Sequence, residues 1–169
     1  MDTAHVLATD PEIGRDAYTY HGHQGRMPVV IIGGDLSDPG ERRAVVAHEL
    51  AHHELGHTTD HTASRFREAA MVALGAAVVA AFTASLLAGL LLAASAATAY
   101  LTGQAIHRAQ ELDADQVAAD ALDAAGMDGP GLSIAALAAA PPDPRWIRWG
   151  GWVLSGHPTL RVRMARLAR

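Results

Sequence analysis

The chain has 169 residues, enough for one domain or one domain with an insertion, and half of them are hydrophobic while only 5% are aromatic. Its 18 acidic residues outnumber 13 basic ones, all of them Arg, and the formal net charge of −5 argues against general nucleic-acid binding. The absence of cysteine excludes disulfides and thiolate metal sites, so any metal has to be held by carboxylates and the ten histidines.

Residues 1–28 are polar and interrupted by Pro11, Gly14, Gly22, Gly25 and Pro28, with one short strand expected near Asp16–Tyr20. The first thirty residues hold no apolar core of the signal-peptide kind, so no secretory cleavage is expected. His21 and His23 sit in a glycine-flanked turn and read most simply as exposed turn residues. Val29-Val30-Ile31-Ile32, bounded by Pro28 and Gly33-Gly34, is a β-branched run that reads as a strand. Lying just upstream of the next helix, it is also a candidate edge for pairing with an extended peptide.

The start of that helix is well marked. Asp38 suits the N-cap, Pro39 the first helical position, and Glu41 completes a capping box. Apolar Val45, Val46, Leu50 and Leu55 follow, and a helix is expected from Pro39 to about Leu55, ending near Gly56. Inside it lies His48-Glu49-Leu50-Ala51-His52. Residues four apart share one helix face, so His48 and His52 can reach one metal, and Glu49 can take a proton from a water on that metal. This is the spacing of a zinc hydrolase. A second copy, His53-Glu54-Leu55-Gly56-His57, is offset by five residues and turned by roughly 140° on an α-helix, so one metal cannot use both. The first frame lies mid-helix behind the apolar stretch 44–47, whereas the second runs into Gly56; the first is the expected site. His53, His57 and His61 share helical spacing and read as a solvated polar face.

From Ala69 to Ile106, 38 positions carry no charge and no histidine. A membrane span needs about 20 residues. A ligand beyond this run has to return to the side of His48 and His52, which requires an even number of crossings. Two short spans near 69–85 and 88–105 are therefore expected, turning around Ser85–Gly89, with Gly75, Ala76, Ser85, Gly89, Ser95 and Gly103 allowing close helix contact. The competing reading is an Ala-rich hairpin buried against a water-soluble domain. Arg65, Arg67 and Arg108 flank both ends and the turn is uncharged, which places the ends and the metal site on the cytosolic side.

Residues Arg108 to Asp120 read as a strong helix on which Glu111 and Asp115 share a face. By itself this is an ordinary acidic face. With His48 and His52 in hand, Glu111 can complete a His2Glu site, and Asp115 can hydrogen-bond a ligating histidine from behind. Asp113 points elsewhere. Residues 126–144 are punctuated by Gly and Pro, with a short helix around Leu132–Ala139. All three tryptophans, Trp146, Trp149 and Trp152, fall in one stretch with Arg145 and Arg148, which suits a membrane interface or the core better than substrate contact. Arg161, Arg163, Arg166 and Arg169 recur at helical spacings and read as a solvated basic end, with anionic-lipid contact as the other reading.

In this order, His48-Glu-Leu-Ala-His52, an apolar hairpin and Glu111-Leu-Asp-Ala-Asp115 resemble the HtpX and CAAX prenyl protease family of membrane zinc metallopeptidases. Gly56-His57 matches a Gly-His that often follows the family's first motif and supports the first frame. Ser155-Gly-His157-Pro158, with Arg163 after it, is similar to a late His-Pro segment and separates the chain from membrane sensor peptidases sharing the first two motifs. The resemblance covers about residues 16–169. It implies one zinc ion per chain on His48, His52 and Glu111, Glu49 as general base, and His157 and Arg163 near the site, His157 as a candidate to stabilise the oxyanion. Larger members carry further spans before the zinc helix, so this chain is expected to be a minimal version or a fragment.

The expected fold is mainly α (α+β): a zincin-like metallopeptidase domain over residues 1–169 with a small β-sheet and 69–105 inserted as a transmembrane hairpin. The expected function is zinc-dependent hydrolysis of peptide bonds in protein or peptide substrates at the cell membrane, with the lipid bilayer as partner. The alternatives are a membrane metal-binding or chaperone-like protein without turnover, and a regulatory peptidase that cuts one partner.

Overall fold

In the computed structural model, which describes residues 6–13, 17–20, 29–83, 85–148 and 150–169, the chain divides into two units. His21, His23, Asp16 and Trp149 lie outside the described residues. The first unit is Met1–Thr59, Gln110–Pro144 and Pro158–Arg169; the second is Asp60–Ala109 and Arg145–His157.

The first unit holds three strands, β1 (Val6–Asp10), β2 (Ala17–Tyr20) and β3 (Val29–Gly33), in the order β1-β3-β2. β3 pairs parallel with β1, Val30 opposite Leu7, and antiparallel with β2, Val29 opposite Tyr20. Its two edges are therefore both taken. The expectation that it could receive a substrate strand does not hold, because its backbone donors and acceptors already serve β1 and β2. Val30 and Ile32 of β3 are buried with Leu36, and Val45, Val46 and Leu50 of the following helix pack on them.

That helix, α1 (Pro39–Glu54), begins where its residues predict. Asp38 has extended backbone and its carboxylate accepts the Glu41 amide at 2.8 Å, satisfying one of the free donors of the first turn. It ends in a left-handed Gly56 with φ +73°, whose lack of a Cβ permits the reversal. The Gly56 amide donates to the His53 carbonyl at 3.0 Å and the His57 amide to the His52 carbonyl at 2.9 Å, a Schellman pair. The helical spacing of His53, His57 and His61 is thus broken at Glu54, and these residues form no common face.

The second unit contains α2 (Thr62–Thr83) and the first part of α3 (Leu86–Ala124), both long and apolar enough to cross a membrane. Their large side chains are mostly uncovered: Met71, Val72, Val79, Phe82, Leu86, Leu87 and Leu91 are each more than 60% exposed. A hairpin packed as the core of a water-soluble domain would bury these residues. α3 does not stop where the apolar stretch ends. It runs on through Arg108, so the expected helix at 108–120 is part of one 39-residue helix. The tryptophan-rich stretch forms a short helix, α5 (Arg145–Arg148), and a 3-10 turn at Gly151–Leu154. Arg108 Nη1 donates to the carbonyls of Val153 (3.1 Å) and Ser155 (2.8 Å), and Tyr100 Oη to that of Leu154 (3.1 Å). Trp146 is 56% exposed, which excludes a core role for it.

Two further helices complete the first unit. α4 (Gly129–Ala139) is capped by Asp128 and packs on α1 and on α6 (Leu160–Leu167), with Ala119, Leu137 and Leu167 buried together. α6 is set by Thr159 as N-cap and by Asp143, which accepts the Leu160 amide at 3.0 Å.

The close approach of α2 and α3 depends on Gly89, where a Cβ would sit 2.8 Å from Ala81 Cβ and 3.0 Å from the Ala77 carbonyl oxygen. Around Gly75 there is open space. Gly89→Leu is expected to lower stability in detergent micelles by about 1–3 kcal/mol through overpacking, while Gly75→Leu leaves it unchanged; thermal unfolding of the two variants side by side checks this.

Candidate metal centre

Helices α1 and α3 meet through small residues. Ala51, Ala114 and Ala118 are buried together, with Ala47 and Val117 against them. Ala47 and Ala51 each precede a histidine of the motif, and Ala114 precedes Asp115, so side chains of one methyl group set how closely the ligand-bearing faces approach. The result is a cluster of His48, His52 and Glu111, the one group of three potential metal ligands found among the described residues. His48 Nε2 and His52 Nε2 are 3.1 Å apart; Glu111 Oε2 lies 3.7 Å from the first and Oε1 3.4 Å from the second. Ligand atoms on a tetrahedral zinc with normal bond lengths are separated by about 3.3–3.4 Å. Two imidazoles and a carboxylate at these separations fit such an ion, and the side chains, 14–17% exposed, remain reachable.

The first frame of the doubled motif is the one that meets Glu111, and the second does not form a cluster. Glu49, half-buried, follows His48 on α1. His57, expected on a solvated face, instead brings its Nδ1 to 3.1 Å from Nδ1 of His52, the ring nitrogen turned away from the cluster. Its approach follows from the Schellman turn, and the Leu55-Gly56-His57 sequence carries that signal, since a residue just past a helix-ending glycine bonds back to the last turn.

Asp115 is buried, with Oδ1 3.0 Å from Nδ1 of His48. The N–H direction lies off the line to the oxygen, so the contact is an ion pair more than a linear hydrogen bond. Arg163 grips the same carboxylate with both arms, Nε to Oδ2 at 2.7 Å and Nη2 to Oδ1 at 2.6 Å, and its Nη1 stands 3.4 Å from Glu111 Oε2. Its neighbour Arg166 pairs with the exposed Asp113 at 2.9 Å. The basic end of the chain is therefore not simply solvated: Arg163 is drawn in because two carboxylates on one turn of α3 need a fixed countercharge. His157 belongs to the second unit, exposed, with its amide donating to Ser155 Oγ at 3.2 Å.

His48, Asp115 and Arg163 stabilise one another's charged forms. Burial works against a charged His48 ring, but the carboxylates of Asp115 and Glu111 outweigh it and raise the pKa from 6.5 to about 9. Burial likewise works against an ionised Asp115, and Arg163 with His48 outweighs it, holding the carboxyl below its usual value of 3.8. The signs follow. The stabilisation from His48 is full below pH 6.5 and is lost as pH rises through about 9; that from Asp115 is present above 3.8 and is lost as pH falls through its lowered pKa. A metal ion can take His48 only after displacing its proton. Loading at pH 7.5 is expected to release about one proton, and affinity to rise about tenfold per pH unit up to pH 9, from this group. Asp115→Asn should flatten that rise. Calorimetric titration in buffers of different ionisation enthalpy measures both.

The model of one protein family, Peptidase family M48, matches residues 4–169. In fold the chain is similar to the crystal structure of S. mikatae Ste24p, with a TM-score of 0.58 and 17% sequence identity over 96% of this chain. The matched region is 44% of that protein, so the chain spans less than half its length. No curated protein matches the sequence. The donor cluster, the mainly helical fold with its small sheet, and a family match running from residue 4 to the last residue agree: the chain belongs to peptidase family M48, the zinc metallopeptidase family of HtpX and Ste24.

Proposed function

We propose that the chain is a membrane-associated zinc endopeptidase that hydrolyses peptide bonds of protein substrates. The observation that carries this reading is the convergence of two imidazoles and one carboxylate, each with a second contact, on one point between α1 and α3. His48, His52 and Glu111 would hold one zinc ion per chain; when bound, zinc supplies a Lewis acid that polarises the scissile carbonyl and acidifies water. Glu49 takes the proton of the attacking water as its oxygen bonds to the carbonyl carbon, then returns a proton to the amine as the C–N bond breaks. Asp115 keeps the His48 ring oriented, and Arg163 holds Asp115 and Glu111 in place.

Residues 1–169 act in this reading as one metallopeptidase domain with 69–105 inserted as a membrane hairpin. The uncovered apolar side chains of α2 and α3 support a bilayer around them, and the exposed Trp146 supports an interfacial position for α5. Arg65, Arg67 and Arg108 at the two ends of the hairpin support a cell-membrane location with the active site facing the cytosol.

Two experiments test the proposal. Glu49→Gln should keep one zinc per chain and lose at least about 100-fold in cleavage of an unfolded protein such as casein; undiminished cleavage removes Glu49 from the mechanism. Because the chain has no cysteine, Ser85→Cys creates a single thiol in the turn between the helices. A membrane-impermeant maleimide should label it from outside the cell, and labelling only after the membrane is opened overturns the orientation.

A further inference from the structure

The two metal-facing imidazoles are backed by different groups. Behind His48 stands a carboxylate, Asp115, at 3.0 Å; behind His52 stands a second imidazole, His57, at 3.1 Å, the rings meeting edge-on with centroids 5.2 Å apart. The geometry points to His57 as a positioning residue that fixes the tautomer of His52. The inference rests on the proposed metal site.

The argument is one of proton counting. His52 Nε2 faces His48 Nε2 and Glu111 inside the cluster. A nitrogen that binds a metal carries no proton, so a ligating neutral His52 carries its proton on Nδ1. The Nδ1 atoms of His52 and His57 approach to hydrogen-bonding distance, and such a contact needs one proton between them. Two N–H groups would repel, as would two lone pairs. His57 Nδ1 is then the acceptor, and its own proton sits on Nε2. An acceptor in that place does for His52 what carboxylates and backbone carbonyls commonly do for metal-binding histidines: it selects the ring tautomer and raises the basicity of the ligating nitrogen.

The chain reaches this arrangement by a local route. Left-handed Gly56 turns the backbone so that the His57 amide donates to the His52 carbonyl. The same pair of residues is thereby joined twice, once through the backbone and once through the rings. The first link fixes where the His57 Cα lies, and the second then needs only a side chain of suitable length with an acceptor in the Nδ1 position. Asn meets that requirement, because its Oδ1 is reached through the same number of bonds as His Nδ1. Ala does not.

The test uses the full chain in detergent micelles, stripped of metal and titrated with zinc against a competing chelator. His57→Ala should weaken zinc binding by about 10–100-fold, and His57→Asn should restore it to within about threefold. Equal affinity in all three proteins overturns the inference, as does a loss in His57→Ala that His57→Asn does not recover. In the zinc-loaded wild-type protein, nitrogen NMR of labelled histidines should show His52 protonated at Nδ1 and His57 at Nε2. The opposite tautomer at His57 overturns the inference even if the Ala variant fails to fold. His52→Ala separates the two layers: binding indifferent to it overturns the metal site and this inference together, whereas binding lost there but kept in His57→Ala overturns only the inference.

Discussion

Glu111 and Asp115 stand one helical turn apart on α3, and the guanidinium of Arg163 contacts both. Two carboxylates on one largely buried face repel each other and lose hydration. Arg163 answers both problems, binding Asp115 through two short contacts while its third nitrogen faces Glu111. Removing one partner of a buried ionic group typically costs about 3–5 kcal/mol, comparable with a large part of a domain's net stability. The exposed Arg166–Asp113 pair, three residues along the same helix, is worth about 0–1 kcal/mol by comparison. Position and not charge alone therefore decides which of the terminal arginines matters. α6 is the element that delivers Arg163, and its entry is fixed by Thr159 and by Asp143 on the Leu160 amide.

The second requirement is distance. Three donor atoms have to come within 3–4 Å of one another from two helices far apart in sequence. Ala51, Ala114 and Ala118 bury little apolar area each, so their value lies less in hydrophobic stabilisation than in letting α1 and α3 approach. The larger apolar side chains lie elsewhere: Val30, Ile32 and Leu36 anchor the sheet face of α1, and Leu137 and Leu167 hold α4 and α6. α1 is thus gripped on one side by bulky residues and left free on the other to come close to α3.

The residues that could be read in advance were those whose partners are local or whose spacing has one mechanical meaning. Asp38, Pro39 and Glu41 announced the start of α1, Gly56 its end, and His48 and His52 their shared face. Glu111 is legible from the helix face it shares with Asp115 and from the match of Glu111-Leu-Asp-Ala-Asp115 to the family's second motif. Three features escaped, for different reasons. The continuity of α3 is masked by the change of hydropathy near Ile106, but no glycine or proline interrupts residues 104–120, and a change of polarity does not break a backbone. The central place of β3 is hidden because strand order depends on pairings between segments, which the run of Val and Ile does not encode. Arg163 entered only through the family resemblance, since its helical spacing with Arg161, Arg166 and Arg169 says nothing about a carboxylate 48 positions away.

The two cations of the cluster divide the work according to their chemistry. Arg163 cannot lose its proton under any condition the fold survives, so it is a permanent countercharge to Asp115 and Glu111. His48 can. The carboxylates of Asp115 and Glu111 hold its ring protonated up to about pH 9. A zinc ion held by His48, His52 and Glu111 would replace that proton as the positive charge facing Glu111. Had both cations been arginines there would be no nitrogen to offer the metal; had both been histidines, the carboxylates would lose their anchor whenever the rings became neutral. Asp115 therefore meets one fixed and one titratable cation. The pairing of Asp115 with both His48 and Arg163 is the link that makes the two cations part of one site.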